Sequence, residues 1–149
     1  MSRKRAQKPV DAVRRTLVLD SEALSKAVRG DVGMRALVKA AADRDMAVVT
    51  SALTTIEAWD PRVGKGGTAL WDWALSRVRV VHTDDRLISV ARSLLRDSGL
   101  HGHKYAIDAL LAAVALHASD QGAHVTVLTS DTDDLEKLLA DSQVRVEQA

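Results

Sequence analysis

Four carboxylates stand where a solvated surface charge is not ordinarily placed: Asp20, Glu57, Asp108 and Asp131. Asp20 closes the apolar run Thr16-Leu17-Val18-Leu19, which reads as a buried strand. Glu57 shares a helix face with Leu53, four residues earlier, so part of its neighbourhood is expected to be apolar. Asp108 is the only formal charge in an otherwise apolar helix read over Ala106–Ser119. There it falls in the first turn, and an unpartnered carboxylate is expensive to bury. Asp131 follows directly on a strand read over His124–Thr129. In an open parallel sheet ligand chemistry collects at the carboxyl ends of the strands, so Asp20 and Asp131 meet if their strands are neighbours.

Were these acids to converge within ~5 Å, each ionised pair would repel by about 3 kcal/mol at an effective dielectric of about 20. Several such pairs rival the ~5–15 kcal/mol that holds a domain folded. A cation among them, or retained protons, must relieve the repulsion. Oxygen ligands without Cys, and without His at metal-ligand spacing, favour a hard ion, Mg2+ or Mn2+. Water on such an ion is a nucleophile, and the ion neutralises a phosphodiester and its leaving oxygen, which is the chemistry of phosphoryl hydrolysis. Each acid also has an ordinary reading. Asp20 can N-cap the helix that starts at Ser21, Glu57 can be a solvated helix residue, and Lys104 can satisfy Asp108. Asp131 can cap the last helix, with Asp133 and Asp134 drawn to its first turn by the dipole. The joint placement carries the metal-site reading; the single positions do not.

The elements that must hold these residues alternate. Strands are expected over Thr16–Asp20, Met46–Val49, Val78–Val81, His124–Thr129 and Val144–Glu147. Helices are expected over Ser21–Val28, Val32–Arg44, Ala52–Trp59, Thr68–Ser76, Asp84–Arg96, Ala106–Ser119 and Thr132–Ala140. In the second helix Val32, Leu37, Val38, Ala41 and Ala42 are assigned to one face; in the fifth, Leu87, Ala91, Leu94 and Leu95 point inward. Residues 60–67 and 99–104 read as loops. Strands separated by helices argue for right-handed crossovers, a parallel sheet covered on both faces, and the α/β class.

Composition agrees with one folded domain. The chain has 149 residues, 46% apolar and 28% charged, and no cysteine. Disulfides, thiolate nucleophiles and Cys-bound metals are therefore excluded. No stretch reaches the ~20 apolar residues of a membrane span, and no apolar region follows the basic start, so a cytoplasmic protein is expected. Residues 1–15 hold Arg3, Lys4, Arg5, Lys8, Arg14 and Arg15 against Asp11, a net +5, while residues 16–149 carry −4. Such an arm can track phosphates or be a solvated tail, and it argues for nucleic acid only beside a second observation.

The order of these segments resembles the PIN domain, a family of Mg2+-dependent nucleases that includes the VapC-type toxins of bacterial toxin-antitoxin pairs. LVLDSEAL (17–24) is similar to the family's opening strand with its first acid, Asp20, and TTIEA (54–58) to the helix bearing its Glu, here Glu57. AIDALLAAVAL (106–116) resembles the segment whose Asp, here Asp108, precedes small apolar residues. LTSDTDDL (128–135) resembles the fourth-acid motif, with Asp131 in the site and Asp134 nearby. Leu135, where many relatives carry Phe, and the basic arm depart from the pattern without touching the acids. The resemblance implies a five-stranded parallel sheet of order 3-2-1-4-5 and a domain over 16–149. It also implies endonucleolytic cleavage of RNA, a homodimer and a small antitoxin. On this reading Asp20, Asp108 and Asp131 position Mg2+ or Mn2+, Glu57 completes the cluster through water, and Asp134 stands outside them.

Other signals are weaker. Residues 64–68 lack the spacing of a phosphate-binding loop, although Arg62 and Lys65 nearby could touch RNA backbone. His101 and His103 give a minor zinc signal inside what reads as a polar loop, and Lys104 beside them could contact a substrate phosphate. Trp59, Trp71 and Trp73 read as core or dimer-interface fillers before base-stacking platforms. A haloacid-dehalogenase-type phosphatase would want a second Asp where Glu22 stands, and a receiver-like domain would want paired early acids and a late Lys. A PIN-like module that binds RNA or protein without cutting, or a housekeeping RNA-processing nuclease, remains as the alternative to a toxin.

Overall fold

The computed structural model describes residues 14–62 and 67–149; the arm over 1–13 and Lys65 lie outside the described residues. In chain order the elements are β1 (Arg15–Leu19), α1 (Ser21–Arg29), α2 (Val32–Asp43), β2 (Ala47–Ser51), α3 (Ala52–Glu57) and α4 (Gly67–Arg77). β3 (Arg79–Val81), α5 (Asp85–Ser98), α6 (Gly102–Asp120), β4 (His124–Thr129), α7 (Thr132–Leu138) and β5 (Arg145–Gln148) follow. The five strands form one parallel sheet of order β3-β2-β1-β4-β5. Strand order reverses at β1, so the crevice between the carboxyl ends of β1 and β4 is the switch point where such sheets bind ligands.

Alternation along β1 covers both faces of the sheet. Leu17 and Leu19 pack with Ala23, Ala27, Met34 and Ala41 of α1 and α2, whereas Val18 packs with the α6 run Ala109–Ala115. The small residues of α6 let it lie close to the sheet, and all seven from Ala109 to Ala115 are buried. Asp20, still extended in backbone at φ −77° and ψ −177°, continues the alternation towards the α6 side. Among the described residues no helix is long and apolar enough to cross a membrane.

Several expectations need correction. α6 begins at Gly102, four residues before Ala106, because the backbone N–H of Tyr105 already bonds to the His101 carbonyl at 3.0 Å. His103 and Lys104 are therefore helical, and Asp108 stands in the second turn, away from the helix N-terminus. In α2 the buried stripe is Met34, Val38 and Ala41, while Val32 is 84% exposed and Leu37 37% exposed. Val38 and Ala41 of the expected face are buried, whereas Ala42 is exposed and Met34 joins the stripe; Asp31 caps the helix by accepting the Met34 N–H at 2.8 Å. β2 runs on to Ser51, α3 stops at Glu57 and α7 at Leu138.

Candidate active site

Asp20 is both a strand-end acid and a helix cap. Its Oδ1 accepts the Ala23 N–H at 2.8 Å, capping α1, and its Oδ2 accepts the Ser130 N–H at 2.9 Å, across the gap to the end of β4. The Asp20 N–H donates to the Leu128 carbonyl at 3.0 Å, extending the β1–β4 ladder by one residue. The carboxylate is only 7% exposed and locked in orientation, yet each oxygen keeps a lone pair. Asp131 is exposed and caps α7, its Oδ1 accepting the Asp134 N–H at 3.3 Å. Its own N–H donates to the Thr129 hydroxyl at 3.0 Å.

Asp108 of α6 is half-buried, and its carboxyl is pushed up to about 6. Loss of water is the main cause; the charges of Glu57, Asp134, Asp131 and Asp20 follow. Thus acids carried by α3, α7, the β4–α7 junction and the β1–α1 junction all act on one side chain. Asp134 is also raised, by loss of water, by its hydrogen bond with Asp131 and by the Asp131 charge, with Lys137 and Lys104 opposing. Lys104, its ammonium 5.1 Å from the centre of the Tyr105 ring, is raised above the ordinary lysine value first by the Tyr105 side chain and its charge, then by the fields of Asp134 and Asp131. It therefore stands on the rim of the acids. Glu57 is exposed, so the apolar neighbourhood expected for it is confined to Leu53, which packs partly into the core.

The acids share a field without crowding one point. Among the described residues no group of three or more His, Asp or Glu could hold a metal ion in this side-chain arrangement, a looser gathering than the ~5 Å clustering weighed from sequence. The donor chemistry nevertheless fits a hard divalent cation: the gathered groups are carboxylates, one is fixed by two backbone amides, and loss of water together with the neighbouring charges raises Asp108 to about 6, so that it is still mostly ionised at pH 7.

The remaining candidates lie elsewhere or are engaged. Arg62 grips Asp60 of its own loop, with Nε at 3.0 Å from Oδ1 and a terminal nitrogen at 2.9 Å from Oδ2, which holds Asp60 below the usual carboxylate range. Lys65 lies outside the described residues. Trp71 is buried as a core residue, Trp73 is half-buried against the guanidinium groups of Arg35 and Arg77, and Trp59 is 60% exposed with its ring 5.8 Å from Trp71.

Sequence reasoning missed the hydroxyls that pin the acids. Buried Thr50 donates to the Leu19 carbonyl at 2.7 Å, tying the end of β2 to the residue before Asp20. Thr129 orients the Asp131 backbone. The available signal was a hydroxyl residue at the end of each apolar strand, Thr50-Ser51 and Thr129-Ser130. Ser51 Oγ and Thr54 Oγ1 are buried at the β2–α3 junction without a hydrogen-bond partner among the described residues.

The sequence profile of the PIN domain matches residues 17–138. The chain belongs to the PIN domain family. Members are in general nucleases, which supports hydrolase activity at that level. The solved structures similar in fold to this PIN domain include the following two. The crystal structure of VapBC2 from Rickettsia felis bound to a DNA fragment from their promoter superposes at TM-score 0.64 and 16% identity, covering 90% of this chain and 98% of that one. The crystal structure of FitAcB from Neisseria gonorrhoeae superposes at TM-score 0.60 and 22% identity, covering 87% of this chain and 96% of that one. No curated protein matches the chain.

Proposed function

We propose that this PIN domain is a Mg2+- or Mn2+-dependent endoribonuclease of the cytoplasm, acting as the toxin of a toxin-antitoxin pair. One observation carries the reading: the Asp108 carboxyl is held near 6 in part by the charges of Glu57, Asp134, Asp131 and Asp20, acids drawn from four separate segments to one end of the sheet. Such repulsion costs stability, and a cation among the acids would relieve it. Asp20, Asp108 and Asp131 would hold the ion, with Asp134 beside them; bound there, it would supply a water nucleophile and neutralise a phosphodiester oxygen.

The chain's own residues do the rest. The two amides on Asp20 fix its carboxylate before substrate arrives, which is the preorganisation that charge stabilisation needs. Glu57, exposed at the rim, orients the attacking water and takes up its proton. Lys104 contacts a substrate phosphate beside Asp131 and Asp134. The likeness to VapBC2 and FitAcB supports a protein partner, a small antitoxin; a homodimer is part of the same proposal.

The experiment is RNA cleavage with and without a chelator, beside Asp20→Asn and Asp108→Asn. Cleavage that requires added Mg2+ or Mn2+ and disappears in both variants is expected. Full activity in both variants refutes the assignment. RNA binding by a wild type that never cuts transfers the reading to a non-catalytic binding module.

A further inference from the structure

The end of the sheet opposite the acids gathers five arginines, with Asp43 and Asp45 beside one of them and Asp120 at the end of α6 before β4. Arg15 opens β1 with Arg14 before it, Arg44 lies three residues ahead of β2, and Arg77 and Arg79 flank the start of β3. All five are exposed. Their strands are adjacent, and Thr16 of β1 pairs with Ala47 of β2, so Arg15 is the neighbour of Met46. Three neighbouring strands span about 10 Å at ordinary strand spacing, close to the Debye length of ~10 Å at 0.1 M salt, so these charges act together. Arg77 and Arg79 also border a cleft of about 440 Å³ whose other wall includes Met46, Ala47 and Val48.

Among the described residues these guanidinium groups hold no carboxylate. Arg29, Arg62, Arg96 and Arg145 each hold a carboxylate within 3.0 Å. Among the described residues no carboxylate lies within 4.0 Å of Arg14, Arg15, Arg44, Arg77 or Arg79, although Asp43 and Asp45 flank Arg44 in sequence. Arg77 instead lies over the Trp73 ring, 4.9 Å from its centroid, which braces it without neutralising it.

A polyanion has nothing to gain from the acidic end unless a cation is present, so long-range attraction must come from elsewhere on the molecule. We infer that the amino edge of β1, β2 and β3 is a second nucleic-acid surface, which holds the phosphodiester backbone through Arg14, Arg15, Arg77 and Arg79 without reading sequence. The surface does not depend on the nuclease reading: it binds whether or not the acids cut. Exposed guanidinium groups without side-chain acceptors suit this task, because phosphate contacts position a backbone and carry no base information.

The test is binding of a labelled single-stranded RNA to the full chain by fluorescence anisotropy, in EDTA so that no divalent ion contributes. Single-stranded DNA and duplex DNA are run beside it. Replacing Arg14, Arg15, Arg77 and Arg79 together by Ala removes four phosphate contacts, which should weaken binding at least about 10-fold at low salt. The slope of log affinity against log salt should fall by about 2 to 3 on single strands. The same four positions changed to Lys keep the charge and should stay within about 3-fold of wild type, which separates lost attraction from lost folding. Arg92→Ala with Arg96→Ala, exposed on α5, is the control and should change little. The probe that loses most identifies the nucleic acid served. Unchanged affinity and slope in the Ala variant on all three probes, or an equal loss in the α5 control, overturns the proposal.

Discussion

The two ends of the β-sheet are built on opposite plans. At the carboxyl end several polar groups are fixed by hydrogen bonds to the backbone, although Glu57 and Asp131 are exposed: Asp20 by two amides, Thr50 to the Leu19 carbonyl, Thr129 to the Asp131 amide. At the amino end Arg14, Arg15, Arg44, Arg77 and Arg79 project into solvent with no described carboxylate to hold them. Fixed geometry is what chemistry on one bond requires, because the groups must be in place before charge develops. Loose, long, charged side chains are what backbone attraction requires, because phosphates arrive in many registers. The difference assigns precision to one end and attraction to the other.

The largest effect expected is at the fixed end. Asp20→Asn and Asp108→Asn should each lower the rate of RNA cleavage by at least about 100-fold, the low end of what one charge-stabilising group is worth, measured in single-turnover assays. Activity retained in either variant would break the contrast, since the fixed end would then be a structural cap alone. Thr50→Val tests the locking itself. It leaves the buried Leu19 carbonyl without its donor, and should cost about 1–2 kcal/mol in denaturant unfolding and slow cleavage without abolishing it.

Asp108→Asn should also move stability in the direction opposite to activity. The folded protein holds the Asp108 proton up to about 6, against 3.8 ordinarily, so the native state binds more protons than the unfolded chain between those values. Stability therefore falls as pH rises through that window, and the penalty is full at pH 7. The Asn variant lacks it and should be more stable at pH 7 by about 1–2 kcal/mol, allowing for solvent screening, with the gain gone at pH 4. No difference between the two pH values would mean that the acids are too far apart to matter. The smallest effect belongs to Asp134→Asn. Its amide still donates to Asp131, so unfolding should change by no more than about 0.5 kcal/mol, with only a modest loss of cation affinity.

Much of this was legible from residue order. Thr16–Leu19 and His124–Thr129 announce themselves as buried strands because β-branched and apolar residues run without interruption, and the acids that follow them are visible for the same reason. The start of α6 was not legible, because Gly102 and two histidines read as a break although the backbone closes its first turn at His101. On α2, Val38 and Ala41 of the expected face are buried, but Val32 at the first position of the helix stays exposed and Met34 meets the core instead. The roles of Thr50 and Ser130 required the third dimension: each bonds to a residue far away in the chain, and sequence spacing carries no trace of such a partner. The amino-end arginines are plain in the sequence as single residues, but their adjacency follows from the order β3-β2-β1.

The most direct test of the acidic end is the melting temperature of the wild type and of Asp108→Asn as Mn2+ is titrated at pH 7. A cation held by these carboxylates at free concentration c stabilises the native state by RT ln(1 + c/Kd), so the wild-type midpoint should climb with Mn2+ and overtake the variant, which starts higher and responds little. Parallel curves for the two proteins, or a wild type indifferent to Mn2+, would contradict the account.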